Sequence, residues 1–216
     1  MYKYIFFDLD GTIVNSESGI LNALRYSLNK FGISNPEYET IIKFIGPPLR
    51  DSYMNYYGFN KEQADQGVVY YREYYSKEGI FEANVYDGIE DLLKYLKEHN
   101  YKIVLATSKP DEFAKIILEH FGLLKYFDFV AGATMSETRT NKEEVLQYAL
   151  DENNILDVSS VLMIGDRKFD ILGAKKFDID SVGVLYGFGN REEFENAGAN
   201  YIVESPMEII EKVLYI

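Results

Sequence analysis

The sequence predicts an α/β protein in which a doubly wound parallel sheet is interrupted by one inserted helical segment. Three observations support this fold class. Short, β-rich apolar runs recur along the chain, helical patterns separate most of them, and one long stretch after the first run is helical only. Continuous apolar runs, unlike alternating ones, are typical of strands that are buried on both faces of a parallel sheet.

The first strand is predicted at Tyr4 to Phe7. Five more apolar runs follow it: Lys102 to Ala106, Phe129 to Ala131, Val161 to Ile164, Val182 to Leu185 and Tyr201 to Val203. The intervening helices have their own start and stop signals. Asp87 can cap one helix, Pro110 opens the next, and Gly122 follows the end of that second helix. Strand and helix in alternation predict one sheet with helices on both sides.

The stretch from about Ser16 to Phe81 is too long for a single crossover helix. One apolar stripe runs through its first part, formed by Ile20, Leu21, Leu24, Leu28 and Phe31. A Gly46-Pro47-Pro48 break separates the later helical patterns. We therefore predict a small helical domain, residues 16–81, inserted into a core domain made of residues 1–15 and 82–216. It would lie over whatever sits at the end of the first strand.

Composition excludes several functional classes. A formal net charge of −13 disfavours nucleic acid and anionic membranes as partners. The same charge would repel a phosphorylated substrate, so a site for one must supply positive charge locally. The absence of cysteine rules out disulfides, thiolate zinc sites and cysteine nucleophiles. The apolar start ends at Asp8, which is too short for a signal peptide. We expect a cytoplasmic monomer or homodimer.

The informative polar residues follow the predicted strands, which is where open α/β sheets bind ligands. They are Asp8, Asp10, Thr107, Ser108 and Asp166, together with Lys142, which precedes the helix leading to the fourth strand. Crowded carboxylates need a neutralising cation, and oxygen ligands select a hard ion such as Mg²⁺. The hydroxyl groups and the lysine can supply donors to phosphate oxygens. The pattern therefore indicates a phosphoryl-transfer centre with Mg²⁺ as its cofactor.

Four segments resemble the motifs of the haloacid dehalogenase superfamily. Asp8-Leu9-Asp10-Gly11-Thr12 resembles the first motif, and Ile103 to Ser108, an apolar strand ending in threonine and serine, resembles the second. Lys142 matches the third, and Gly165-Asp166-Arg167-Lys168-Phe169-Asp170 is similar to the fourth. The motifs occur in order and span nearly the whole chain. The helical insert lies where the family's first class of cap domain lies, so the resemblance implies a Rossmann-like core with a cap.

The resemblance also implies roles. Asp8 would be the nucleophile that is transiently phosphorylated, and Asp10 the acid/base that serves the leaving group and then water. Phosphate would be bound by Thr107, Ser108 and Lys142. The metal would be held by Asp8, the backbone carbonyl of Asp10, Asp166 and Asp170, the last directly, through water, or by orienting Lys142. The second aspartate is absent from the dehalogenase branch, so its presence points to phosphoryl chemistry.

Within the superfamily, Ile45 to Leu49 and Thr138-Arg139 resemble the phosphoglycolate phosphatase-like branch and its 5'-nucleotidase-like relatives. Asn15-Ser16 departs from that branch, where an acidic residue usually precedes the serine. We expect a small phosphate monoester as substrate, phosphoglycolate- or nucleotide-like. Arg50 and Arg72 in the cap are candidates for contacting a second anionic group on it.

Two alternatives remain. A phosphosugar mutase could be built on the same four motifs, although no sugar-holding motif is visible in the predicted cap. A phospho-receiver domain also places acids, a hydroxyl and a lysine after successive strands. Such domains are much shorter and have no helical insert after the first strand.

Overall fold

The computed structural model describes residues 2–136 and 138–214. The strands are β1 Tyr4–Phe7, β2 Val14–Asn15, β3 Asn84–Val85, β4 Lys102–Pro110, β5 Phe129–Ala133, β6 Val161–Gly165, β7 Asp180–Val184 and β8 Tyr201–Val203. The helices are α1 Glu17–Asn29, α2 Tyr38–Ile41, α3 Leu49–Tyr57, α4 Lys61–Tyr75, α5 Ile89–Glu98, α6 Asp111–His120, α7 Lys142–Glu152, α8 Lys168–Lys176, α9 Arg191–Ala197 and α10 Pro206–Ile209. A π-helical segment follows at Ile210–Leu214.

Six of the strands form one parallel sheet in the order β5-β4-β1-β6-β7-β8. The remaining two, β2 and β3, pair with each other. In the large sheet β1 is central, and Phe7 at its end pairs with Leu105 on one side and Ile164 on the other. The residues that follow these three positions therefore come to one edge of the sheet. The predicted α/β fold with a doubly wound parallel sheet is confirmed.

Strand bounds differ from the sequence prediction where pairing continues through polar residues. β7 begins at Asp180, two residues before the predicted start, because its backbone already pairs with Leu162. The Asp180 carboxylate accepts hydrogen bonds from the Tyr2 hydroxyl at 2.6 Å and from the Asn200 side-chain amide at 2.8 Å. The predicted cap at Asp87 is wrong. Helix α5 is capped by the next residue, Gly88, whose φ of 84° favours glycine.

Helix α7 is fixed to the sheet through its apolar face. Val145, Leu146 and Ala149 are fully buried in a cluster that includes β4, β5 and β6 residues. Burial of each large aliphatic side chain contributes roughly 1.5–3 kcal/mol. This packing fixes the position of Lys142, the first residue of the helix, relative to the sheet.

Two compact units make up the chain: residues 1–14 with 85–216, and residues 15–84. The larger unit contains the six-stranded sheet. The smaller unit contains helices α1 to α4, and the stripe on α1 is buried within it at Ile20, Leu21, Leu24 and Leu28. Tyr53 of α3 is buried and donates a 2.7 Å hydrogen bond to Ser27. The predicted domain bounds and the cap function of the smaller unit stay predictions.

None of the helices in the described part of the chain combines the length and the apolar character needed to cross a bilayer.

Candidate active site

The residues after β1 form a tight turn that presents two acids. The Asp8 amide donates to Ile164 O at 2.9 Å, which continues the pairing of β1 with β6. The chain then folds back, since Ile13 N and Val14 N both donate to Leu9 O. Gly11 has a φ of 81°, and a Cβ added there would lie 2.0 Å from Asp166 Oδ2. Only glycine therefore suits this position.

Three carboxylates meet beside that turn. Asp8, Asp166 and Asp170 each offer an oxygen, and these atoms all lie within 4.8 Å of one another. All three residues are buried, with Asp166 and Asp170 at most 1% exposed. Gly165 makes room for them, because a Cβ there would lie 2.1 Å from Asp170 Cγ. We call this group the carboxylate trio.

The electrostatics of the trio call for a cation. Burial raises the pKa of Asp166 well above its ordinary value, and the nearby Asp170 and Asp8 raise it further. Burial also raises the pKa of Asp170 to about 6, against the opposing effect of the Lys142 charge. Asp8 Oδ1 and Asp170 Oδ1 are buried and accept no well-directed hydrogen bond. A buried, oxygen-only donor set of this kind fits Mg²⁺.

Lys142 provides the protein's own positive charge at the trio. Its Nζ lies 2.9 Å from Asp8 Oδ1 and 2.7 Å from Asp170 Oδ1. It also donates to Ala106 O at 2.8 Å. Burial lowers the pKa of Lys142, but the charges of Asp170 and Asp8 raise it more, so the pKa lies above its ordinary value. The side chain is therefore an ammonium, although it is 5% exposed.

Local sequence explains how Lys142 reaches this place. Asn141 caps α7, because its side chain accepts from the Glu144 amide while the Glu144 side chain accepts from the Asn141 amide. This reciprocal box fixes the helix start at Lys142. Gly173 on α8 leaves space for the lysine stem, since a Cβ there would lie 2.9 Å from Lys142 Cγ.

Thr107 and Ser108 lie where β4 becomes irregular. The register with β5 shifts between Ala106 and Pro110. Within this bulge Thr107 is buried and its Oγ1 accepts from Lys109 N at 3.2 Å, while Ser108 is half-buried. Both residues lie at the same edge of the sheet as Asp8. Their predicted contact with phosphate stays a prediction.

Asp10 lies beside a different lysine. Lys109 Nζ is 2.9 Å from Asp10 Oδ1 and 2.7 Å from Asp10 Oδ2. The Asp10 carboxylate is not one of the three that meet in the trio. The two lysines therefore serve different acids of the first motif.

A loop after β7 contacts both Asp166 and the turn that follows β1. The Phe188 amide donates to Asp166 Oδ2 at 2.9 Å, and the Tyr186 hydroxyl donates to Thr12 O at 3.1 Å. Burial raises the pKa of Tyr186, and Asp166 adds to the effect, so the phenol keeps its proton as a donor. A Cβ on Gly187 would lie 2.3 Å from Gly11 O. The loop thus holds Asp166 and the β1 turn together.

A family model described as haloacid dehalogenase-like hydrolase matches residues 5–184, which is most of the chain. The chain belongs to this family. It is 40% identical to a 5'-nucleotidase of Pseudomonas aeruginosa over 89% of this chain and 86% of that protein. It is 33% identical to the tyrosine-protein kinase PtkA of Mycobacterium tuberculosis, over 94% of this chain and 69% of that protein.

The fold is also similar to that of a solved structure. The crystal structure of a predicted phosphatase from Clostridium acetobutylicum has a TM-score of 0.96 and 48% identity, with all of both chains covered. Together with the family match, this makes the protein an enzyme, a phosphatase-type hydrolase of the haloacid dehalogenase family.

Several residues of this family member's site were not found from the sequence. Lys109 was not predicted as a site residue, although it directly follows Thr107-Ser108 in the sequence. The loop Tyr186 to Gly189 was missed, although two glycines directly after an apolar strand could have indicated it. Lys168 of the fourth motif is exposed, and its amide donates a hydrogen bond to Glu193.

The arginines predicted for substrate contact both lie in the helical unit. Arg50 on α3 forms an ion pair with Asp65 on α4 within that same unit. Arg72 lies on α4 and is half-buried. Their predicted contact with a second anionic group of the substrate stays a prediction.

Proposed function

We propose that this protein is a Mg²⁺-dependent phosphatase of small phosphate monoesters, acting through an aspartyl-phosphate on Asp8 with Asp10 as its acid/base. The observation that carries the proposal is the carboxylate trio with Lys142 set into it. It combines a nucleophilic carboxylate, a fixed cation and two further acids in one buried place. The similarity to a 5'-nucleotidase supports a nucleotide-like substrate, alongside the phosphoglycolate-like one.

The reaction proceeds in two halves. In the first, a carboxylate oxygen of Asp8 attacks phosphorus, the ester bond breaks, and Asp10 protonates the departing oxygen. In the second, Asp10 takes a proton from water, the water oxygen attacks phosphorus, and the bond from Asp8 to phosphorus breaks. Inorganic phosphate is released and both aspartates return to their starting states.

The remaining residues hold the transferring group. Lys142, with Thr107 and Ser108, donates to its non-bridging oxygens. Mg²⁺ would be held by Asp8, the Asp10 backbone carbonyl, Asp166 and Asp170, with Asp170 binding directly or through water. Bound there, it would offset the repulsion between these acids and an anionic substrate. Phe188 N and Tyr186 keep Asp166 and the β1 turn in position.

Phosphate release from a nucleoside 5'-monophosphate and from para-nitrophenyl phosphate tests the proposal. We expect turnover with Mg²⁺, loss of turnover in excess chelator, and recovery when Mg²⁺ is restored, because the trio and substrate are both anionic. Full activity in excess chelator would contradict the proposal. A phosphosugar mutase, the alternative on the same core, would instead isomerise a hexose phosphate without releasing phosphate.

We also expect a cytoplasmic enzyme, a monomer or a homodimer.

Asp10→Asn is expected to separate the two halves of the reaction. An aryl leaving group departs without a proton, so phosphorylation of Asp8 by para-nitrophenyl phosphate should fall only modestly. Hydrolysis of the phosphoenzyme should fall by roughly 10²- to 10⁴-fold, because it needs the base. Rapid mixing should show a burst of phenol approaching one equivalent, followed by slow turnover.

The nucleoside monophosphate serves as the comparison for this variant. Its alkoxide leaving group needs the proton, so no burst of nucleoside is expected. If the aryl ester also gives no burst and both esters lose the same factor, Asp10 is not the acid/base.

A further inference from the structure

The ion pair of Lys109 with Asp10 is, like the pairs of Lys142, largely shielded from water. Both carboxylate oxygens of Asp10 lie within hydrogen-bonding distance of one ammonium, at 2.9 and 2.7 Å. The Lys109 side chain is 6% exposed and the Asp10 side chain 17%. By comparison, Lys97 pairs with Asp128 at 2.9 Å while 35% exposed. Burying a lysine ammonium to this extent carries a desolvation cost that an exposed ion pair avoids.

Backbone geometry sets where Lys109 stands. It lies in the bulge of β4, where its amide donates to Thr107 Oγ1. The neighbouring strand approaches closely at Gly132, where a Cβ would lie 2.7 Å from Lys109 O and 2.6 Å from Asp111 N. Only a glycine in β5 permits this approach, so the position of the lysine depends on two strands and not on its own side chain alone.

Asp10 needs such a restraint for the role proposed above. The terminal torsion of an aspartate is broad, so a carboxylate without a partner samples many orientations. A general acid must come within roughly 2.6–3.2 Å of the oxygen that it protonates. One ammonium touching both oxygens restricts the plane of the carboxylate. Lys142 does not take this place, since its Nζ lies beside Asp8, Asp170 and Ala106 O and not beside Asp10.

We propose that Lys109 is a positioning residue that holds the Asp10 carboxylate in the orientation required for proton transfer to and from the leaving group. The inference rests on the proposed role of Asp10 as acid/base. It gives the two lysines separate tasks: Lys142 acts on the nucleophile and the transferring phosphoryl group, and Lys109 acts on the acid/base.

Lys109→Met tests this division with two esters. Misplacement of a catalytic group by about 1 Å can cost roughly 10²-fold in rate. We therefore expect kcat on a nucleoside 5'-monophosphate to fall by roughly 10²-fold with little change in KM. The rate of phenol release in the first turnover of para-nitrophenyl phosphate should fall far less. A residue that only supported the fold would lower both by the same factor.

Two further variants complete the design. Asp10→Asn with Lys109→Met should lose no more activity on the nucleotide than Asp10→Asn alone, because the lysine acts through that carboxylate. Lys97→Met, which removes a lysine paired to Asp128 outside the site, should leave the ratio of the two ester rates unchanged. If Lys109→Met does not fold, Lys109→Gln replaces it. We then expect the same pattern, a larger loss of rate on the nucleotide than on the aryl ester, with a smaller difference between the two.

The outcomes distinguish this inference from the proposed function. If Asp10→Asn separates the two esters but neither Lys109 variant does, the positioning role is overturned while the acid/base role stands. If Asp10→Asn does not separate them, the acid/base role fails and the role of Lys109 fails with it. Additive losses in the double variant would also overturn the inference.

Discussion

Asp8→Asn is expected to abolish phosphatase turnover, with a loss of roughly 10⁵-fold or more, as for other enzymes that lose a covalent nucleophile. An amide is nearly the same size as a carboxylate but is a poor nucleophile, so the bond to phosphorus cannot form. The neighbours of Asp8 should stay in place, because its amide still donates to Ile164 O. Phosphate release at saturating Mg²⁺ measures the loss.

Two controls accompany this variant. Circular dichroism and thermal melting should show a folded protein, so that the loss belongs to the chemistry. Acid quenching of the wild-type enzyme during turnover of labelled substrate should trap a phosphoprotein that the variant does not form. A variant that retained a tenth of normal activity would remove Asp8 from the nucleophile's role.

Lys142→Met is expected to have the second largest effect, on activity and stability together. Methionine removes the cation that lies 2.9 Å from Asp8 and 2.7 Å from Asp170. Breaking a buried ion pair by removing one partner costs about 3–5 kcal/mol. We expect a loss of that size in the free energy of unfolding without Mg²⁺, measured by urea denaturation. Activity should fall by roughly 10³-fold, since a charged donor to the phosphoryl group is lost.

A second substitution separates the two effects. Asp170→Asn in the Lys142→Met background removes one of the acids left without its cation, so part of the stability should return while activity stays low. Lys97→Met is the matched control for removing a lysine at a less buried pair. If Lys142→Met costs no more stability than Lys97→Met, the trio does not depend on its lysine.

The sequence was most informative about site residues that come directly after a buried strand. Asp8 and Asp166 directly follow the buried runs that became β1 and β6 with its closing glycine. Parallel pairing of these strands then brings the acids to one edge without any further information. The position of Lys142 was likewise predictable, because Asn141 and Glu144 form a recognisable helix start.

Lys109 and the loop after β7 could not be placed in this way, because each depends on a distant partner. The bulge that carries Lys109 requires a glycine in β5, and nothing near Lys109 in the sequence reveals that Gly132 lies against it. The Phe188 contact uses a backbone amide, so the residue type carries no signal. The ion pair of Arg50 similarly depends on how α3 packs against α4.

The central position of β1 has a consequence for how activity is acquired during folding. Tyr4 at the start of this strand pairs with Lys102 on one side and Val161 on the other, so both its partners are supplied late in the chain. Closing such long loops is entropically costly and slow. A refolding chain can form its local helices early, yet Asp8 reaches Lys142 and the other two acids of the trio only when the middle of the sheet is complete. We therefore expect the recovery of activity to lag behind the recovery of helical signal, because activity requires the completed sheet.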